Sequence, residues 1–77
     1  MVDMYLVSNS DDKVTYRMVN FDTKEIIGNM TVDKKTKAYE LDYAEEMTTH
    51  YESATYKFIL GAIERDNYPK FAFDGWC

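Results

Sequence analysis

His50 is the only histidine in the sequence, and Glu46 stands four residues before it. On a helix that spacing brings the two side chains together, close enough for a hydrogen bond or a two-ligand metal contact. A zinc site needs three or four ligands of the Cys, His or carboxylate type. The sequence holds a single cysteine, Cys77, so no Cys pair can complete such a site. Nucleophilic catalysis would need an activated Ser, Thr or Cys beside a base. Ser53 falls one turn from His50 but on a polar helix side. Cys77 lies far along the chain, with no basic or helix-N-terminal surroundings to lower its pKa. The paired carboxylates Asp11-Asp12 and Glu45-Glu46 fall in a turn and in the first turn of a helix, where local structure already accounts for them. Three scattered glycines make no phosphate loop. No catalytic, metal-binding or cofactor-binding residue is assigned, no cofactor is expected, and the chain is read as a non-enzyme. A small enzyme using His50 is the second alternative.

Charge narrows the partners. The net charge of −5 repels a phosphate backbone, so direct nucleic-acid binding is not expected. The same charge allows an alternative function, an acidic inhibitor or nucleic-acid mimic acting on a nucleic-acid-binding protein. Asp42, Glu45, Glu46, Glu52 and the pair Asp11-Asp12 would then stand in for phosphates. Lys34, Lys35 and Lys37 form the only basic cluster and read as a solvated hairpin tip. A lone cysteine excludes an internal disulfide framework. The N-terminal residues contain neither a basic start nor an apolar run of signal-peptide or membrane-span length. The expected location is cytoplasmic, with no membrane partner.

The elements that would position these residues follow from periodicity. Residues 4–8 form a short apolar run closed by the turn cluster Asn9-Ser10-Asp11-Asp12. Residues 14–21 alternate, with Val14, Tyr16 and Met18 on one face and Thr15, Arg17, Val19 and Phe21 on the other. Residues 26–32 place Ile26, Met30 and Val32 inward and Ile27, Asn29 and Thr31 outward, with Gly28 marking a bulge or a close approach. Residues 37–41 make a fourth strand with Tyr39 and Leu41 on one side. At Asp42 the period changes from two to about 3.6. Asp42 and Glu45 read as a capping box opening a helix over 43–66, with Met47, Tyr51, Ala54, Phe58 and Ala62 as its apolar stripe. The predicted fold class is α+β: a single domain, 1–77, in which an antiparallel β-meander of three to four strands packs on one long C-terminal helix. An aromatic tail, 67–77, folds back.

The second half of that helix is apolar on more than one side, because Tyr56, Leu60 and Ile63 lie opposite Phe58 and Ala62. The tail carries Phe71, Phe73 and Trp76, which are expected to cover Leu60 and Ile63 or a sheet edge. Left uncovered, these six residues (Tyr56, Leu60, Ile63, Phe71, Phe73 and Trp76) would be a protein-interaction or self-association surface.

The tyrosine-rich meander with its Lys-Thr-Lys hairpin, the helix running into Glu64-Arg65-Asp66-Asn67-Tyr68-Pro69, and the tail ending Gly75-Trp76 resemble a group of short Firmicutes proteins without an assigned activity. Phe71 and Phe73 stand where that group usually has more polar residues. The resemblance implies the same meander-and-helix fold and a bacterial or phage origin, and it carries no activity across. The function expected from the sequence is a small non-enzymatic protein-interaction module.

Overall fold

The computed structural model describes residues 2–43 and 49–74. Five strands and one helix follow in the order β1 (Val2–Asn9), β2 (Lys13–Asn20), β3 (Ile26–Asp33), β4 (Tyr39–Tyr43), α1 (Thr49–Arg65) and β5 (Phe71–Asp74). The sheet is antiparallel throughout, in the order β4-β3-β2-β1-β5. The first four strands are the predicted meander. The fifth departs from the prediction: the chain crosses one face of the sheet as α1 and returns as an edge strand beside β1. Of the two coverings expected for the tail, its described residues 71–74 take the sheet edge, by pairing with β1.

One face of the sheet and one face of α1 make the core. Met4 and Val2 of β1, Val14, Tyr16 and Met18 of β2, and Met30 and Val32 of β3 are fully buried, joined by Ile59 of the helix. Tyr16 shows why such a core tolerates a hydroxyl. Its ring sits edge-on to Phe58 at 5.1 Å, and its hydroxyl donates to the Pro69 carbonyl at 2.6 Å. A buried phenol needs that partner, and the bond ties the α1–β5 connection to the middle strand.

The helix differs from its prediction in two ways. Its described span is 49–65, not 43–66, and residues 44–48, which include Glu45 of the expected capping box, Met47 of the stripe and Glu46, lie outside the described residues. Asp42 is no helix cap: it belongs to β4 and pairs across to Asn29. The buried face also coincides only in part with the one predicted. Ala62 of the predicted stripe is wholly buried and Tyr51 and Phe58 pack against the core, but Thr55 and Ile59, outside that stripe, are wholly buried while Ala54 is only half-buried. The helix ends with Asp66 at φ 50, with its N–H bonded to the Ile63 carbonyl and that of Asn67 to the Ala62 carbonyl. This is the Schellman arrangement, which satisfies carbonyls the helix would otherwise orphan.

Two hairpins use one turn built from the same residue pattern. In Asn20-Phe21-Asp22-Thr23-Lys24 the Asn20 side chain accepts from the N–H groups of Asp22 and Thr23. In Asp33-Lys34-Lys35-Thr36-Lys37 the Asp33 carboxylate accepts from Lys35 and Thr36. The threonine hydroxyl then accepts from the N–H two residues on, that of Glu25 or Ala38. A lysine in the left-handed region, Lys24 at φ 64 or Lys37 at φ 66, reverses the chain. An Asx side chain first, Thr fourth and Lys fifth is thus a turn signal in its own right.

A bulge between Met18 and Val19 sets two residues of β3 against one of β2. It reverses the predicted facing of two side chains. Ile27 turns into the core while Ile26 is exposed.

Candidate interaction surface

Tyr5, Ile26, Phe71 and Phe73 are large apolar side chains exposed on the helix-free face of the sheet. Register places Phe71, Tyr5, Arg17, Asn29 and Asp42 side by side in one row across all five strands. A second row runs Phe73, Asp3, Val19 and Ile26. Phe73 is 61% exposed, Phe71 48% and Tyr5 41%. The Tyr5 and Phe71 rings lie 5.0 Å apart, and Phe71 and Phe73 are 6.5 Å apart. The three rings are therefore one continuous apolar patch.

Local sequence explains the patch. Pro69 and the left-handed Asp66 end the helix, and Phe71-Ala72-Phe73 then alternates with period two. Ala72, half-buried opposite Met4, packs against the core, which obliges both phenylalanines to face the other way.

Apart from Val19 and Ile26, the neighbouring side chains of these rows are polar, and most of them engage one another. Thr15 and Thr31 share a hydrogen bond at 2.8 Å, and the Arg17 Nε donates to Asn29 at 3.3 Å. Asp3 is the exception. It is 3% exposed, Lys24 Nζ lies 3.5 Å from one carboxylate oxygen, and the other oxygen meets no hydrogen-bond donor among the described residues. A shallow depression of about 120 Å³, lined by Lys13, Thr31, Asp33, Thr36, Ala38 and Glu40, opens on the same face near the β3–β4 turn. It is well below the roughly 300 Å³ at which small-molecule sites begin. No cluster of three metal-ligating side chains occurs among the described residues.

No family model, curated protein or solved structure matches the chain. What the surface can do therefore rests on its own chemistry. The described helix is not long and apolar enough to cross a membrane.

The five described residues of the six named from the sequence lie on two sides of the sheet. Tyr56 and Ile63 pack against the core on the helix side of the sheet, and Tyr56 stacks at 4.6 Å on Tyr39 while its hydroxyl donates to the Lys37 carbonyl. Leu60 is half-exposed on α1. Phe71 and Phe73 are on the opposite side of the sheet, and Trp76 lies outside the described residues, as does Cys77. His50 falls in the first described turn of α1, and its side chain is not described. Glu52, one of the acidic residues suited to mimicry, accepts a hydrogen bond from the Tyr39 hydroxyl at 2.5 Å. That bond raises the Tyr39 pKa above the ordinary value. Lys34 is not a free tip residue. Its ammonium donates to Asn9 and to the Ser10 carbonyl and lies over the Tyr68 ring at 4.5 Å, holding three loops together. The Lys37 ammonium donates to the Lys34 carbonyl.

Tyr5 and Asp3 are the members of the surface that sequence reading missed. The signal was present: Val2, Met4 and Leu6 alternate with Asp3 and Tyr5. Starting the strand at Met4 concealed it.

Proposed function

We propose that the chain is a small non-enzymatic protein-interaction module of bacterial or phage origin, working through β5 and the aromatic patch beside it. The observation that carries this reading is the exposure of Phe71, Phe73 and Tyr5 together on a helix-free face, at the margin where the sheet also ends. Patches of clustered aromatics beside an open edge are the surfaces proteins use to add a partner strand. The opposite margin contrasts with it, since Glu40 and Asp42 place charge along β4, the usual protection of an edge. The test is capture from a lysate of the source organism by the immobilised chain and by its Phe71→Ser/Phe73→Ser variant. Proteins retained by the parent and by a Glu40→Lys/Asp42→Lys control, but lost from the serine variant, support the reading. Equal capture by all three refutes it.

A further inference from the structure

We infer that the occupant of the β5 edge is the β5 strand of a second copy of this chain, paired antiparallel about a two-fold axis through Ala72. This deepens the reading of β5 as an interaction edge and rests on it.

The backbone supplies the first argument. The Leu6 N–H bonds to the Lys70 carbonyl at 2.9 Å, one step beyond the Tyr5–Phe71 pair that ends the β1–β5 register. Antiparallel ladders alternate hydrogen-bonded and non-hydrogen-bonded pairs. Lys70, Ala72 and Asp74 therefore direct their backbone groups at β1, while Phe71 and Phe73 direct theirs outward, where no strand lies among the described residues. Two copies related by a two-fold at Ala72 set Phe71 of each opposite Phe73 of the other. Those are the residues with free N–H and C=O groups, so both pairs close hydrogen-bonded rings without any change in β5.

Side-chain chemistry agrees with the same register. Phe71 against Phe73 of the other copy forms aromatic cross-strand pairs on the helix-free face, covering rings now 48% and 61% exposed. Ala72 meets Ala72, the least bulky contact for the closely spaced pair at the axis. Lys70 comes opposite Asp74 of the second copy, and the two-fold repeats that opposite-charge pair. An isologous interface requires such self-complementarity. A four-residue strand rarely offers it in backbone, ring and charge at once. The β4 edge does not: its outward acids, Glu40 and Asp42, would face like charges in a self-pair.

Sedimentation equilibrium on the full chain tests the inference, read together with amide exchange. The expected mass is twice the 9.1 kDa of one chain, and the Phe71 and Phe73 amides should become protected as concentration drives the dimer. Lys70→Asp and Asp74→Lys should each sediment as monomers because each sets like charges opposite one another. An equimolar mixture of the two should recover the dimer mass. A parent chain that stays monomeric, with Phe71 and Phe73 amides exchanging freely, overturns the inference. So does a dimer in which those amides stay unprotected. A monomer that still captures another protein through Phe71 and Phe73 overturns the self-pairing alone; a monomer that captures nothing ends the broader reading as well.

Discussion

Thr55 is wholly buried in the face α1 turns to the sheet, and its hydroxyl has no hydrogen-bond partner among the described residues. A buried hydroxyl left unpaired costs about 1–3 kcal/mol. Thr55→Val keeps the shape and removes that cost, so it should stabilise the fold by about 1 kcal/mol, read as a higher midpoint in urea unfolding with an unchanged slope. Two tyrosines hold their protons more tightly in the folded chain. Burial, aided by Tyr68, pushes the Tyr16 hydroxyl above the ordinary value of 10.0, and the hydrogen bond to Glu52 does the same for Tyr39. A group that holds its proton more tightly when folded contributes stability that is whole below the unfolded pKa and lost as pH rises through the folded one. Unfolding midpoints should therefore fall above about pH 10, and Tyr39→Phe should make that fall shallower. An equal slope in the variant would show that the Glu52 bond does not matter. In acid the sign reverses: the N–H groups of Thr36 and Lys35 hold the Asp33 carboxyl below its ordinary range, and its contribution is lost as pH falls through that lowered value.

At the scale of the element, α1 ends on Asp66, a non-glycine residue at φ 50. Left-handed backbone costs an L-residue roughly 1–2 kcal/mol, less for Asp than for most. Glycine removes the cost and adds some unfolded-chain entropy, so Asp66→Gly should be stabilising by about 0.5 kcal/mol, with Asp66→Val destabilising by more than that. Thermal unfolding of the pair gives the check; a glycine variant less stable than the parent would mean the Asp66 side chain itself holds the turn. The hairpins were readable as turns from Asn9-Ser10-Asp11-Asp12, Asp22-Thr23-Lys24 and Asp33-Lys34-Lys35-Thr36, because turn residues act through bonds within a few positions. The helix start was not. Asp42 has the chemistry of a cap, but pairing with Asn29 across the sheet holds it in β4. The stripe was only partly legible: Tyr51, Phe58 and Ala62 do pack on the core, but the middle of the buried face is Thr55 and Ile59, which apolar spacing alone did not single out.

Across the whole molecule the decisive feature is which side of the sheet each tail residue takes. Phe71 and Phe73 are exposed, whereas Ala72 packs toward the core. Phe71→Ser/Phe73→Ser should leave the monomer fold intact, with a change in intrinsic stability on the order of 0.5 kcal/mol per exposed site. Ala72→Asp, which sets a carboxylate against Met4, should cost several times that or unfold the chain. Circular dichroism and denaturant titration of the two variants at concentrations below association separate these outcomes. Should the serine variant unfold instead, the rings would be core and the surface proposed here would not exist.

Period-two alternation and turn chemistry established four antiparallel strands and most of their faces, because both act between near neighbours on the chain. Change of period announced one helix after them. Three further matters were decided only by tertiary contact. The bulge opposite Val19 exchanged Ile26 and Ile27, since a one-residue slip alters facing without altering composition. The tail became β5 because β1, left as an edge by the meander, offers unpaired N–H and C=O groups that a returning Phe-Ala-Phe segment satisfies. And Phe71 and Phe73, expected to share a surface with Leu60 and Ile63, came to lie across the sheet from them, because Ala72, the smallest residue of the three, is the one that fits against Met4.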